Sequence, residues 1–443
     1  MRTAAALLVA AFLLLPLPPG EGRGEGATGA TTPGRGEGAP GTTAGAAAPG
    51  ADSSSLPPVL AEIDRRIRAE FWSPDFGGAD WGAAVAQARR EIAKARNADE
   101  ENAAYDRLLA VLADSHTFRV PSGRLPPSSW GTSGLRIGRS SEGDGGYSVK
   151  GLLPGTSAER SGMKTGDRVL AVGGKALGKA RSNFRDLFLA LEGYPRAAVE
   201  VEWAPAGAAP RKTTLLLEPE SPGDSLVWKS ARVIRRDGKA YGYAHLWGIS
   251  SQTALAVVDL LSDRVETARV HPELAGLDEA EGFLLDVRGN SGGYDPDILS
   301  TFLRGAWTTG DYWLESRGRR RLVPPEFKKL PVVLLVNSGT VSSGEALALK
   351  FRRHRIGPIV GETTAGMLSG GAMIVPLPDG STLWFAARRI FDADGHAYDG
   401  EGKGVVPDVA VADRPPATPG QEDAIVEAGI RALQDPKITR SKD

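Results

Sequence analysis

The sequence predicts an α/β protein, with a helical lead-in and a strand-rich insertion ahead of the main core. Three observations carry this. From Ser225 onward, strand-like and helix-forming stretches alternate. Val332 to Val336 is a continuous apolar run of strong β-character, broken by Asn337-Ser338-Gly339 and followed by a helix-forming stretch from Glu345. Gly282 to Val287 reads as a second such strand, and Asp286-Val-Arg288-Gly289-Asn-Ser-Gly292-Gly293 forms a glycine-rich turn opening a helix towards Leu303.

In chain order, Met1-Arg2 precedes an apolar run from Ala4 to Leu17, the length of a signal-peptide core and too short for an ordinary membrane span. Residues 1–19 are therefore expected to be a signal peptide. The protein is expected to be exported, periplasmic or secreted, and to meet a membrane only through this segment if it is left uncleaved. Residues 20–54 are rich in Gly, Ala, Thr and Pro, with too little apolar side chain to offset chain entropy, and read as a disordered tether. Lys and Arg number 53 against 54 Asp and Glu, leaving no overall field to attract nucleic acid. The chain holds no cysteine, which excludes disulfides, thiolate catalysis and cysteine-ligated metals.

Residues 55–126 form the lead-in. Leu60, Ile63, Ile67 and Phe71 recur at helical spacing, as do Trp81, Val85, Ala88, Ile92 and Ala95; Tyr105, Leu108, Leu109, Val111 and Leu112 make a third apolar face. The third helix runs into Asp114-Ser115-His116-Thr117. The five histidines are scattered, without the spacing of a zinc site, and no metal or other cofactor is expected. As general bases they differ. His354 lies in a basic run, His271 precedes Pro272, His396 sits in a turn, and His245, inside a strand-like stretch, is the closest competitor to His116.

Residues 127–220 change pattern to short strands with turn signals. Gly134 to Ile137, Tyr147 to Leu153, Val199 to Trp203 and Thr213 to Leu217 read as strands, and Asn183 to Leu191 as a short helix. The run Pro154-Gly-Thr-Ser-Ala-Glu-Arg-Ser-Gly-Met-Lys-Thr-Gly-Asp-Arg-Val-Leu-Ala-Val172 closely resembles a PDZ domain. The resemblance implies capture of a peptide or C-terminus by strand addition, with Gly134, Leu135, Arg136 and Ile137 matching the loop that holds a terminal carboxylate.

Residues 221–443 form the core. Strand, turn and helix at 332–345 put Ser342 or Ser343 at a helix N-terminus, where backbone N–H groups favour negative charge. Two readings stand side by side: Ser342-x-x-Glu345 as a capping box, or Ser342 as an acyl-transfer nucleophile. The Gly292-Gly293 turn lacks both P-loop and dinucleotide spacing, and beside a nucleophile it becomes an oxyanion hole.

The order of Asp-Ser-His-Thr at 114–117, the PDZ-like module, the Asp286–Gly293 motif, Ser338 to Glu345, Gly361-Glu-Thr-Thr-Ala-Gly366 and Gly404-Val-Val-Pro-Asp408 resembles the carboxyl-terminal processing protease superfamily, which includes the tricorn protease core. That resemblance implies a crotonase-like α/β peptidase core and a serine endopeptidase acting on extended or unfolded polypeptides. In the processing branch the base is a lysine in a Gly-Lys-Gly turn. Here Met367 follows Gly366, and Lys350 lies more than two helical turns from Ser342. The tricorn-like branch implies Ser342 as nucleophile, His116 as base, Ser115 orienting the imidazole and Glu401 supporting it. Ser343 and either Gly292 or Gly293 would supply oxyanion donors. The alternatives are an inactive PDZ-containing scaffold that keeps the fold, motivated by Met367, and a crotonase-type acyl-thioester enzyme, which explains neither the module nor the Ser342 turn. Oligomeric state is not legible in the sequence.

Overall fold

The computed structural model describes residues 56–435 apart from 123–130, 144, 179–190, 194–196, 220, 222, 294–298, 300–302, 304–312, 317–318, 323–329, 390–399 and 415–421. The leader, the tether, His396 and all but Leu191 of the helix expected at 183–191 lie outside these residues.

Three lead-in helices form where the periodicity places them: α1 (Pro58–Glu70), α2 (Trp81–Ile92) and α3 (Ala98–Ala110). Proline at the start of α1 costs no hydrogen bond, because the first N–H groups of a helix have no internal acceptor. Asp80 and Asn97 cap α2 and α3 by accepting from Ala83 N and Glu100 N. After α3 the chain reverses through Ala113 (φ 50°), and Asp114 Oδ1 accepts from His116 N and Thr117 Oγ1. Strand β1 (Phe118–Val120) follows directly.

The strand-rich segment contributes β2 (Leu135–Arg139), β3 (Tyr147–Leu152), β4 (Arg168–Val172), β5 (Ala198–Ala204) and β6 (Arg211–Leu216), paired antiparallel in that order. Leu135, Val149, Val169, Val201 and Leu215 fill its own small core.

Helix α4 (Gly223–Ser230) leads into the main sheet. The hairpin β7 (Arg232–Arg236) and β8 (Lys239–His245) turns at Asp237-Gly238, both at positive φ, which suits the twist of a two-residue loop. Helix-forming residues run on from Thr253 to Val265 in the sequence, and the structure breaks the stretch into α5 (Ser251–Ser262) and α6 (Arg264–Val270). Asp263 leaves helical geometry there and caps α6 through Glu266 N. Next come β9 (Gly282–Asp286), β10 (Val332–Val336), α7 (Ser343–Arg353) and β11 (Ile359–Gly361). The hairpin β12 (Ala372–Pro376) and β13 (Thr382–Ala386), the short β14 (Val409–Ala410) and α8 (Ala424–Gln434) follow.

The main sheet runs β7-β8-β9-β10-β11-β14, parallel except at β7. Its central strands are buried throughout, with Val257, Leu261, Leu347 and Phe351 on one face and Ile425 and Ile430 of α8 on the other. Because β9, β10 and β11 are parallel neighbours, the turns that follow each emerge together at one end of the sheet.

The lead-in does not close on itself. β1 pairs antiparallel with β13, Phe118 opposite Trp384, and the lead-in core shares Leu377, Leu383 and Phe385 with Leu60, Ile63, Trp81 and Tyr105. Arg119, buried over the Tyr105 ring, adds an ion pair to Asp379 and a hydrogen bond to Ser381 Oγ. This pairing carries His116 to the end of the sheet where the turns after β9, β10 and β11 emerge.

Candidate active site

Ser342 occupies the N-cap of α7 at φ 51° and ψ −120°, a backbone region costly to a residue with a Cβ. The turn that holds it there is bonded on every side. Ser342 N donates to Met367 O (3.1 Å) and lies 3.3 Å from Glu345 Oε2, so Glu345 supplies the glutamate half of the capping box. The serine hydroxyl turns elsewhere: Ser342 Oγ stands 3.3 Å from His116 Nε2.

A continuous relay follows. His116 Nδ1 is 2.9 Å from Ser115 Oγ, and Ser115 Oγ donates to Glu401 Oε2 at 3.0 Å. Ser115 N also donates to Glu401 Oε1 at 2.8 Å, which fixes the carboxyl in place. Ser115 is almost wholly buried, whereas His116 and Ser342 are half-buried. Burial holds the His116 pKa below its usual value, with Asp114 pulling the other way, which favours the uncharged ring. Burial, then Asp114, pushes Glu401 up to about 8 despite its two bonds from Ser115; Glu345 adds to the rise.

Glu345 is fully buried and accepts from Thr364 Oγ1 (2.6 Å), Gly366 N (2.8 Å) and Met367 N (2.8 Å). It therefore ties the loop after β11 to the turn that bears Ser342. Met367, where the processing-branch resemblance has lysine, is buried with Val341 and Ala365.

The glycine turn lies against the serine. A Cβ built on Gly292 would come 2.7 Å from Ser342 Cβ, so only glycine fits. Gly292 N already donates to Asn290 Oδ1 at 2.8 Å. Among the described residues, the N–H groups of Gly293 and Ser343 have no protein acceptor, and Ser343 Oγ donates to Gly293 O at 2.7 Å. Both residues stand beside Ser342.

The remaining candidates fall elsewhere. Gly134 leads into β2, and Leu135, Arg136 and Ile137 lie on it. Gly134 N donates to Thr132 Oγ1 and Leu135 N to Ser133 Oγ, while Ile137 packs into the module core and Arg136 lies against Gly289. His245 is buried in β8, stacked on Trp247, with Nε2 2.8 Å from Arg288 O. His271 stacks on Trp228 beside Glu273, and His354 ends α7. Among the described residues no group of three or more His, Asp or Glu side chains is arranged to hold a metal ion, and no helix is long and apolar enough to cross a membrane.

Sequence reasoning missed Asn337, Thr364 and Asn290. Asn290 and Thr364 lie inside the motifs and Asn337 next to one, but their roles depend on which turns meet in space.

Fold and site together have the form of a serine-type hydrolytic centre at the end of an α/β sheet. Residues 241–411 match the model of peptidase family S41. The chain is 29% identical over 377 residues to the chloroplastic C-terminal processing peptidase of Tetradesmus obliquus, covering 79% of this chain and 76% of the relative. It is 26% identical over 375 residues to tricorn protease homolog 1 of Streptomyces coelicolor, covering 81% of this chain. It spans 33% of that relative's length and 30% of tricorn protease homolog 2 from the same organism. In structure it resembles the photosystem II D1 C-terminal processing protease (TM-score 0.52, 23% identity, 86% of this chain and 98% of the other), a likeness of fold. Residues 241–411 are thus similar to peptidase family S41, and the relatives that match across most of the chain are processing peptidases and tricorn protease homologs.

Proposed function

We propose that this protein is an exported serine endopeptidase that cleaves extended or unfolded polypeptides, with Ser342 as nucleophile and His116 as base. The observation that carries the reading is the unbroken relay from Glu401 through Ser115 and His116 to Ser342. The absence of a lysine at Met367 favours this tricorn-like relay over a serine–lysine pair.

The chemistry follows from the geometry. His116 Nε2 takes the Ser342 Oγ proton as Oγ attacks the scissile carbonyl carbon. Ser115 holds the imidazole with Nε2 as acceptor, and ionised Glu401 stabilises the imidazolium through Ser115. The new oxyanion is received by the N–H groups of Ser343 and Gly293; Gly292 is unsuited as a donor because Asn290 occupies its N–H. His116 then passes the proton to the departing amine nitrogen, leaving an acyl group on Ser342. Water, deprotonated by the same imidazole, releases it.

The same reading takes residues 127–220 as a PDZ domain that presents a substrate peptide or C-terminus, and residues 1–19 as a leader for export. It is supported by the motif at 154–172 and the antiparallel sheet of β2 to β6. The core would have the crotonase-like form.

The test is labelling of purified protein with a fluorophosphonate. Wild type is expected to label and Ser342→Ala not to. Equal labelling of Ser342→Ala overturns the assignment, and an unlabelled wild type that still binds peptide moves the reading to an inactive scaffold.

A further inference from the structure

Asn337 follows the last residue of β10 and is fully buried, yet it belongs to none of the groups that would touch substrate. Its amide is used to capacity. Oδ1 accepts from Gly289 N (2.9 Å), in the turn that leads to Gly293, and from Gly339 N (3.0 Å), in the turn that leads to Ser342. Nδ2 donates to the Lys150 carbonyl on β3 (2.9 Å) and to Asp413 Oδ2 just after β14 (2.6 Å). Four chain segments meet on one side chain. Only a primary amide of this length offers two donors beside an oxygen that accepts twice: aspartate lacks the donors, and glutamine is one methylene too long.

Neighbouring bonds reinforce the same joint. Thr340 Oγ1 donates to Val287 O (2.8 Å) and Val341 N donates to Asn290 O (3.0 Å), again linking the two turns. Lys150 lies with its ammonium 2.8 Å from Glu362 Oε2, and its Cβ is so near Gly339 that a Cβ there would come within 2.6 Å. Glu362 in turn accepts from Asp413 N and lies 3.3 Å from Ser338 N and Oγ. The β2–β3 hairpin is thus fastened to the nucleophile turn.

We propose that Asn337 is a positioning residue that sets the oxyanion turn at a fixed separation from the nucleophile turn, with the Lys150 carbonyl of the strand-rich segment as part of the fixture. The proposal rests on Ser342 as nucleophile and Gly293 as oxyanion donor. Its logic is geometric. The donor at Gly293 and the oxygen at Ser342 sit on separate turns, and a catalytic donor works only when held within about 0.5 Å of its productive place. A buried polar joint with every valence satisfied supplies that rigidity.

The test is Asn337→Asp in the full chain, assayed on an unfolded polypeptide substrate, with thermal melting measured alongside. The substitution keeps the shape and the acceptor, removes both donors and sets a carboxylate against that of Asp413. The expected result is a fall in kcat of about 100-fold, the scale of a misplaced oxyanion donor, with KM within about threefold. Adding Asp413→Asn restores a donor opposite position 337, and the pair is expected to recover at least about tenfold of the loss. A folded N337D with kcat within about twofold of wild type overturns the proposal, as does a folded double variant no better than N337D. If N337D does not fold, Asp413→Asn alone decides: a fall of about tenfold in kcat supports the proposal, and wild-type kcat overturns it. The two readings fail separately. Labelling of Ser342→Ala removes the proposed nucleophile, whereas a dead Ser342→Ala beside a fully active N337D removes only the role of Asn337.

Discussion

His116 Nε2 stands 3.3 Å from Ser342 Oγ across 226 positions of sequence. Nothing local to either residue produces this approach. It follows from β1 pairing with β13, which draws the end of the lead-in over the turns at the head of β9, β10 and β11.

Removing the imidazole tests the relay. His116→Ala is expected to lower kcat by about 10³-fold or more while leaving the melting temperature near wild type, because the ring is half-buried and outside the apolar core. Steady-state kinetics with matched thermal melts read both quantities. A variant with more than a tenth of wild-type kcat would remove His116 from the mechanism.

The pH profile should be set by Glu401 rather than His116. With Glu401 ionised, Ser115 Oγ–H donates to it and accepts Nδ1–H from His116, leaving Nε2 free to accept from Ser342. A protonated Glu401 donates to Ser115 instead, Ser115 Oγ–H turns to Nδ1, and Nε2 carries the hydrogen, the wrong tautomer for a base. Since the Glu401 pKa is raised to about 8, kcat is expected to climb as pH rises through about 8, and Glu401→Gln to lose that limb. Stability runs the other way. A carboxyl whose folded pKa is raised favours the folded state fully below its unfolded pKa, and that contribution is lost as pH rises through about 8. Profiles of kcat and of melting temperature between pH 6 and pH 9.5 should therefore slope in opposite senses for this group.

Arg119 offers a test of how the base is delivered. Its side chain is buried between Tyr105, Asn102, Ser381 and Asp379, three residues beyond His116. Arg119→Met removes the ion pair to Asp379 and the donors to Asn102 and Ser381, and is expected to cost about 2 kcal/mol, read by denaturant unfolding. Activity should fall as well, because β1 and the hairpin it pairs with position the turn bearing Ser115 and His116. Full activity in a destabilised variant would show that the turn keeps its place without this anchor.

Backbone strain at the nucleophile makes a separate prediction. Ser342 holds φ 51° and ψ −120°, which costs a residue with a Cβ about 1–3 kcal/mol. Ser342→Gly is expected to melt above Ser342→Ala, although glycine ordinarily loses about 0.5–1 kcal/mol through its larger unfolded-state freedom. A lower melting temperature for the glycine variant would mean that the turn is relaxed.

Much of the architecture was legible in the chain. The apolar run at Val332–Val336, the helical spacing of Leu60, Ile63 and Ile67, and the glycine turn at 289–293 all reflect near neighbours, and the elements lie where the pattern put them. The strand Ala372–Pro376 is not legible in the chain, since it is short, ends in proline and has only one buried residue. Nor is the break at Asp263, because an aspartate in a helical pattern reads equally as a surface residue or as the cap of the next helix.

By itself, the sequence determined which short stretches form strand, turn and helix, placed Ser342 at a helix start, and showed that no lysine follows Gly366. Those are properties of residues within a few positions of one another. Only the tertiary structure decided that Ser342 turns its hydroxyl to His116, that Gly292 has its N–H occupied by Asn290, that burial beside Asp114 raises Glu401, and that Asn337 joins four segments. Each of these depends on distances between residues far apart in the chain. Such distances come from which apolar faces pack together and which parallel strands lie side by side, and residue spacing along the chain does not record them.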